Sequence, residues 1–458
     1  MRLTPSLSTC AFALFFSGAA LAGPNANAPL GASGHEGRTD APPPEDLLGT
    51  MVIEAGAARS LPKIGVVPSL SADTEDVALR AVVRRDLDLC GEFELLAESA
   101  APDGLYLADS PVDTKAWANK GAEAVVRVSA SKSGDRVELT GQAFLTSVGA
   151  TPVLEKKMTV LGADLRAASH RLADSLIGAL TGTNGGFASR LTFASGTGKV
   201  RRVYVIDADG AGARAVSPED ETALAPAFGA GNEVYYASSK GVGEYRIHTE
   251  SGKDQALSTR GSVYGIAFDA SRTKVAVSLG SGGSIRLLSG PDLAHLTPAT
   301  SVPFAMEPTF SPTGKLTFAG MDGAHQRVYV DGKPVTPGGT FSMSPTFCKH
   351  PDGTRLVFAA GAAGQTDLYS TGETGGTTVR LTQNHGSNSS PACSPDGRLV
   401  AFFSTRTGGE GPGLYVMRAD GLRPKRISPL LGDSLRWEAL PAPPDPAPAP
   451  APTASAAE

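Results

Sequence analysis

The chain has 458 residues, and its 41 Lys and Arg against 46 Asp and Glu give a formal net charge of −5. This length is about three times that of a typical domain and predicts more than one domain. The mildly acidic charge argues against nucleic-acid binding, which needs a basic surface, and no apolar run approaches the ~20 residues of a transmembrane helix.

The first 22 residues have the pattern of an export signal. An apolar stretch, CAFALFFSGAAL, ends beside small residues that permit cleavage after Ala22, so we predict export to the periplasm. Residues 23–50 concentrate Gly, Pro, Ala and Asn, which predicts a flexible arm. Residues 441–458 are rich in Pro and Ala, which predicts a disordered tail.

Residues 51–186 alternate strand and helix patterns and predict a small α/β domain. A short apolar strand at 64–68 precedes a helix that Asp73 and Asp76 can cap. A second amphipathic helix begins at Ala163 and ends before Gly182. Three strand-like runs lie between the two helices, at 123–130, 136–148 and 153–160.

Residues 187–440 repeat one pattern of two hairpins six times, with repeat ends 39–46 residues apart. Two hairpins form a four-stranded antiparallel sheet, and six such sheets close into a six-bladed β-propeller. We predict that Leu435–Trp437 pairs with Leu191–Ser195 and closes the ring. Tyrosines that recur with the repeat are predicted to pack between blades: Tyr204, Tyr245, Tyr329, Tyr369 and Tyr415.

Three cysteines remain once the signal is removed, and they are an odd number for a disulfide framework. Cys348 and Cys393 occupy similar sequence contexts, SPTFC and SPAC. They could form a bridge or remain two buried free thiols, and the sequence leaves both possibilities open.

Several segments match the motifs of a known family. The most specific is Leu165–Asp174, LRAASHRLAD, which is followed by Leu-Thr-Gly at 180–182 and by Arg190. Together with the six-bladed propeller, this block resembles the TolB family of the Tol–Pal envelope system. Further matching segments are Met51–Glu54 with Pro62–Pro68, Asp88–Phe93, and Trp117–Val126.

The resemblance implies a non-enzymatic periplasmic adaptor that serves envelope integrity and cell division. It would link a Pal-like peptidoglycan-associated lipoprotein to a TolA-like inner-membrane protein, and we expect a monomer that does not span the membrane. The residues just before the innermost strands are predicted to bind the Pal-like protein: Arg260, Glu307, Thr309, Ser344, His385 and Ser390. The amino-terminal segment is predicted to bind the TolA-like protein through Met51, Val52, Ile53 and Glu54.

The sequence contains no recognisable catalytic or metal-binding motif. Its seven histidines show no H-E-x-x-H spacing, and no G-x-S-x-G motif is present. Asp207 and Asp209 could suggest calcium, but other repeats have ordinary hairpin turns at that position, and His170 is predicted to make a structural hydrogen bond rather than to act in catalysis. We therefore expect no enzyme, cofactor or metal site. The alternative is an exported propeller enzyme or small-ligand binder that uses the central channel.

Overall fold

The computed structural model describes residues 60–440 except for 70–72, 105, 107–109, 198–199, 351–352 and 363–364. The predicted signal peptide (1–22), arm (23–50), partner-binding segment Met51–Glu54 and tail (441–458) lie outside the described residues. In the described part of the chain, no helix is long and apolar enough to cross a membrane.

The amino-terminal part is a five-stranded sheet with helices packed on it. Its elements are β1 (Lys63–Val66), α1 (Thr74–Leu89), β2 (Glu94–Leu95), α2 (Thr114–Asn119), β3 (Ala124–Ser133), β4 (Arg136–Leu145), β5 (Leu154–Leu161) and α3 (Leu165–Thr181). The strand order is β2-β1-β3-β4-β5. Strand β1 runs parallel to both of its neighbours, whereas β3, β4 and β5 are antiparallel, as hairpins require.

Helices α1 and α3 pack side by side on one face of this sheet and bury Leu87, Leu172 and Leu176 completely. Gly141 of β4 lets α3 approach, because a Cβ at this position would lie 2.7 Å from a methyl carbon of Leu172. The predicted capping role of Asp76 is wrong. Its Oδ1 instead accepts a hydrogen bond of 2.9 Å from the backbone N–H of Ala130, and this bond ties α1 to the sheet.

Six four-stranded antiparallel sheets follow and form the predicted six-bladed propeller. Their strands are β6 (Arg190–Thr197), β7 (Val200–Asp207), β8 (Arg214–Ala215), β9 (Thr222–Phe228), β10 (Val234–Ser239), β11 (Arg246–Thr249), β12 (Asp254–Gln255), β13 (Ser262–Phe268), β14 (Val275–Ser281), β15 (Ser284–Gly290), β16 (Thr297–Pro298), β17 (Met306–Phe310), β18 (Leu316–Asp322), β19 (His325–Val330), β20 (Lys333–Pro334), β21 (Phe341–Cys348), β22 (Arg355–Ala362), β23 (Gln365–Gly372), β24 (Val379–Arg380), β25 (Asn388–Cys393), β26 (Leu399–Ser404), β27 (Gly413–Arg418), β28 (Lys425–Ser428) and β29 (Asp433–Trp437).

Blades 1 to 5 each consist of four consecutive strands, from β9–β12 to β25–β28, and blade 6 joins the two ends of the propeller in the order β29-β6-β7-β8. Trp437 of β29 pairs with Leu191 of β6, which confirms the predicted closure. The guanidinium of Arg190 also donates to the carboxylate of Glu438, with Nη2 and Oε1 3.0 Å apart. The innermost strands of the blades are β9, β13, β17, β21, β25 and β29, which contact one another around the channel.

The recurring tyrosines do not pack only between blades, as the sequence predicted. Tyr329 stacks on Phe318 with ring centroids 5.3 Å apart, and these two residues form a cross-strand pair within one blade. Tyr204, Tyr369 and Tyr415 form the same kind of pair in their own blades. Tyr245 follows the prediction, because its ring lies 6.2 Å from that of Tyr264 in the next blade.

Cys348 and Cys393 form a disulfide, which resolves the alternative that the sequence left open. The bridge joins the ends of innermost strands β21 and β25 and thereby links blade 4 to blade 5. Cys90 is a buried free cysteine, and burial raises the pKa of its thiol to about 12. It therefore acts as a small apolar residue of the core.

Candidate binding face of the propeller

The innermost strands share a β-bulge near their start. The pairing register shifts between Met306 and Thr309, between Met343 and Thr346, and between Ser389 and Ala392. The bulged residues have φ values of 49–54° and are Ala225, Glu307, Ser344, Ser390 and Ser434. In the first four of these, proline follows the bulged residue, a place where the missing N–H does not disturb the sheet.

These bulges correct the predicted position of four site residues. Glu307, Thr309, Ser344 and Ser390 lie within innermost strands and not in the loops that precede them. The recurring Ser-Pro or Glu-Pro pair thus marks a bulge inside a strand, whereas these residues were predicted to lie just before the innermost strands.

The bulges meet around a narrow point of the central channel, where the cavity measures about 10 Å³. This is roughly the space of one water molecule. Small-molecule sites usually enclose about 300–1,000 Å³, so the channel has no room for a substrate at this level. Its lining consists of Ala225, Pro226, Tyr264, Gly265, Ile266, Glu307, Ser344, Ser390, Ser434 and Arg436.

Glu307 connects two blades at this narrow point. Its carboxylate accepts hydrogen bonds from the backbone N–H of Ser344, at 2.6 Å, and from the Ser344 hydroxyl, at 2.9 Å. Arg436 donates to the carbonyl oxygen of Pro308, and burial lowers the pKa of Arg436 although the charge of Glu307 opposes this shift. Ser344 and Ser390 are buried. Glu307, Ser344 and Ser390 therefore serve mainly to hold the blades together and contribute little to the outer surface.

The other predicted residues are spread around the end of the propeller at which the innermost strands begin. We call this end the channel face, and it includes the loops 256–261, 299–305, 337–340, 383–387 and 429–432. Arg260 and His385 are exposed on these loops, whereas Thr309 is half-buried and pairs with Thr317 inside blade 3. The structure thus brings Glu307, Ser344 and Ser390 together and leaves Arg260 and His385 apart from them.

Exposed apolar side chains on the channel face were missed by the sequence analysis. They include Tyr264, Phe304, Phe341 and Leu431, with 36–41% of their surface exposed. Phe304, Phe341 and Leu431 each stand three residues before a bulged residue, so the repeat itself contains a signal for them. We call these four residues the apolar ring.

The α/β domain packs at the opposite end of the propeller. Strand β25 runs from the loop 383–387 on the channel face to a turn that contains Arg398. The guanidinium of Arg398 donates to Thr181 Oγ1 and to the carbonyl oxygen of Thr183, both at 2.7 Å. Lys425 and Asp88 form another contact between the domains, with Nζ and Oδ1 2.6 Å apart. The described residues of the α/β domain therefore leave the channel face uncovered.

Asp86, His170 and Asp209 form a buried cluster where the two domains meet. His170 Nδ1 lies 2.7 Å from Asp86 Oδ2, so the predicted structural hydrogen bond of His170 is present. Burial raises the pKa of Asp86 to about 7. Burial alone would lower the pKa of His170, but the hydrogen bond and the charge of Asp86 outweigh it and raise that pKa.

The same three residues are the candidate metal ligands in the described residues, since their donor atoms lie within 4.8 Å of one another. However, both carboxylate oxygens of Asp209 already accept hydrogen bonds from the guanidinium of Arg166, at 2.6 and 2.7 Å. Arg166 also binds Asp207 Oδ2, at 2.7 Å. The two aspartates that suggested calcium in the sequence thus belong to a turn that Arg166 holds against the α/β domain.

Comparisons with known proteins agree with this architecture. Residues 50–151 match the TolB amino-terminal domain and residues 295–435 match the TolB beta propeller domain. The Tol-Pal system protein TolB of Methylococcus capsulatus is 31% identical over 191 residues, which are 41% of this chain and 44% of that protein. Its counterpart in Thiobacillus denitrificans is 32% identical over 178 residues, which are 38% of this chain and 41% of that protein. The chain thus matches less than half the length of these curated relatives.

A solved structure extends the similarity to both domains. The crystal structure of TolB from Acinetobacter baumannii superposes with a TM-score of 0.69 and 20% identity, covering 83% of this chain and 97% of that chain. At this level of identity the match concerns the fold. The two domain matches and the shared fold together show that the chain belongs to the TolB family.

Proposed function

We propose that this protein is a non-enzymatic periplasmic adaptor of a Tol–Pal-like envelope system. Its channel face binds a Pal-like peptidoglycan-associated lipoprotein, and its amino-terminal segment Met51–Glu54 binds a TolA-like inner-membrane protein. Through these two contacts the adaptor serves envelope integrity and cell division. The observation that carries the proposal is the apolar ring around a channel whose cavity at the bulges measures about 10 Å³.

The apolar ring has the character of a protein-binding site. Aromatic residues are enriched among those that contribute most to protein–protein affinity, and exposed apolar groups gathered on one face mark such sites. Three of the four residues are aromatic, and they surround one channel mouth. The alternative of an enzyme or small-ligand binder that uses the channel is disfavoured by the cavity of about 10 Å³ at its narrow point.

The predicted contact residues take different roles in this proposal. Arg260 and His385 are exposed on loops of the channel face, where they can contact the partner. Glu307, Ser344 and Ser390 hold the innermost strands in place and support the face from below. Thr309 belongs to this supporting group because its backbone pairs with Thr317.

The test of the channel face is a binding measurement with the soluble domain of the organism's own Pal-like lipoprotein. We expect the double variant Phe304→Ala/Phe341→Ala to bind at least roughly 10-fold more weakly, because each truncation removes an aromatic contact. Its melting temperature should stay near that of the wild type, since both side chains are exposed. Leu161→Ala is the matched control, because Leu161 is 47% exposed on the α/β domain. Wild-type affinity in the double variant would contradict the proposed face.

The second contact is tested by deleting residues 23–59. The truncated protein should lose binding to the TolA-like carboxy-terminal domain and keep binding to the Pal-like protein. If TolA-type binding survived, that contact would lie elsewhere, and the α/β domain surface would be the next region to examine.

A further inference from the structure

Arg406 carries a positive charge that is buried at the channel face. It follows β26 in blade 5, and only 8% of its surface is exposed. Its Nε donates to the hydroxyl of Ser404 at 2.9 Å, and its guanidinium carbon lies 4.0 Å from the ring centroid of Tyr415. Among the residues that the structure describes, no carboxylate lies within 4.0 Å of its nitrogen atoms.

Other arginines at the same end of the propeller have carboxylate partners. Arg202 pairs with Glu219 at 3.1 Å, Arg327 pairs with Asp322 at 3.0 Å, and Arg380 pairs with Asp367 at 2.6 Å. Charged groups that are removed from water are normally paired, because burial without a partner is strongly unfavourable. Arg406 therefore differs from these neighbours, because no carboxylate pairs with it among the described residues.

The acidic group nearest to Arg406 in the described loop is bound to another residue. Glu410 lies in the same β26–β27 loop, and its Oε2 accepts a hydrogen bond of 2.7 Å from the backbone N–H of Arg426. Glu410 still acts on Arg406 through its charge, yet burial lowers the pKa of Arg406 overall. Within the described residues, the positive charge of Arg406 is thus only partly compensated by a carboxylate.

The guanidinium of Arg406 is also held in one orientation. The guanidinium lies over the ring of Tyr415, and its bond to Ser404 uses Nε. Within the described residues its two terminal nitrogens make no hydrogen bond, so both can bind a ligand. The neighbouring loop is tied to the same segment by hydrogen bonds in both directions between Ser387 and Thr405, each of 2.9 Å. A planar, oriented guanidinium of this kind matches the two oxygens of a carboxylate.

We propose that Arg406 binds an aspartate or glutamate side chain of the protein that docks on the channel face. This inference rests on the proposed function and specifies the chemistry of that contact. The partner surface would combine an apolar patch for the apolar ring with one carboxylate that reaches Arg406 beside the loop 383–387. Cation–π contact with Tyr415 holds the charge while the partner is absent, and the carboxylate neutralises it in the complex.

The first experiment measures affinity for the soluble domain of the organism's own Pal-like lipoprotein by calorimetry. Arg406→Met keeps the length and packing of the side chain but removes its charge, and we expect binding to weaken roughly 30-fold or more, as for a buried charge pair. Arg406→Lys should also weaken binding, because an ammonium lacks the planar pair of donors. Arg202→Met is the matched control on the same face and should leave affinity within about threefold, as for a rim charge.

A double-mutant cycle identifies the partner group. Each Asp and Glu of the lipoprotein domain is changed to Asn or Gln, and one of these changes should weaken binding to the wild type as strongly as Arg406→Met does. The same change should have no further effect in the Arg406→Met background. Wild-type affinity of Arg406→Met, or the absence of any coupled carboxylate, would overturn the inference while leaving the proposed function intact.

Thermal unfolding of the free protein supplies a readout that does not depend on the partner. If Arg406 serves binding, Arg406→Met should melt at the wild-type temperature or above it, because a buried unpaired charge has been removed. A clearly lower melting temperature would overturn the inference in favour of a structural role. Failure of the wild type to bind the lipoprotein domain would instead contradict the proposed function, and the melting temperature would still decide on Arg406.

Discussion

Closure of the propeller should depend on one ion pair, and the variant Glu438→Gln tests it. Glu438 follows the closing strand β29, and its carboxylate accepts three hydrogen bonds from Arg190, which begins β6. These bonds come from the backbone N–H, Nε and Nη2 of Arg190, at 2.9, 3.1 and 3.0 Å. The two residues are 248 positions apart, so the contact joins the two ends of the propeller.

The expected loss of stability follows from burial and from the remaining partner. Only 11% of the Glu438 side chain is exposed, and breaking a buried pair typically costs about 3–5 kcal/mol. Arg190 keeps Glu250 at 3.7 Å, and 28% of its side chain is exposed, so we expect a loss at or below the lower end of this range, about 2–3 kcal/mol. For a propeller of this size, such a loss lowers the melting temperature by about 4–12 °C.

Tryptophan fluorescence during thermal unfolding reports on this contact. Trp437 is adjacent to Glu438, and its Nε1 donates to Ser189 Oγ at 2.9 Å, so release of β29 changes its surroundings. Glu219→Gln is the control, because Glu219 is 87% exposed in its pair with Arg202 and should change stability by less than about 0.5 kcal/mol. The double variant Arg190→Met/Glu438→Leu should recover most of the loss, since it removes both charges of the pair and Glu250 keeps Arg214 at 3.8 Å. A Glu438→Gln protein that melts within 1 °C of the wild type, a limit of roughly 0.5 kcal/mol or less, would refute this account of ring closure.

Further predictions concern the channel, the disulfide and the domain junction. Glu307→Lys should lower the melting temperature, because it removes the acceptor of two Ser344 hydrogen bonds and places a cation near Arg436. An unchanged melting temperature would contradict this structural role and indicate that Glu307 is a surface residue. Cys348→Ala/Cys393→Ala should lower the free energy of unfolding by about 3–4 kcal/mol, as expected for a closed loop of this length, and urea unfolding measures it. The pKa values of Asp86 and His170 are raised above their unfolded values, so the stability that each contributes is present below its unfolded pKa and is lost as pH rises through its folded pKa, which is about 7 for Asp86. The urea midpoint of the wild type should therefore fall between pH 5 and pH 8 more steeply than that of Asp86→Asn, and equal slopes would contradict this role.

Much of the architecture could be predicted from the sequence because it depends on short-range patterns. Strand alternation, turn residues and the repeat are local, and they indicated six four-stranded blades and the closing strand at Leu435–Trp437. The hydrogen bond of His170 was also predictable, since an amphipathic helix places this residue on its buried side. The family motif pointed to the same two-domain fold.

The composition of the proposed binding face was decided by the tertiary structure. A Ser-Pro or Glu-Pro pair has the same sequence pattern in a loop and in a bulge, and only the meeting of six innermost strands placed Glu307, Ser344 and Ser390 at the narrow point of the channel. Pairing of Cys348 with Cys393 likewise required two adjacent blades to bring their strand ends together. Phe304 and Phe341 are exposed because they stand just before or at the start of an innermost strand, where the chain reaches the channel mouth. The repeat depends on residues that are neighbours in the chain, so the sequence determined it. Burial of a side chain depends on how distant segments pack, so only the tertiary structure decided it.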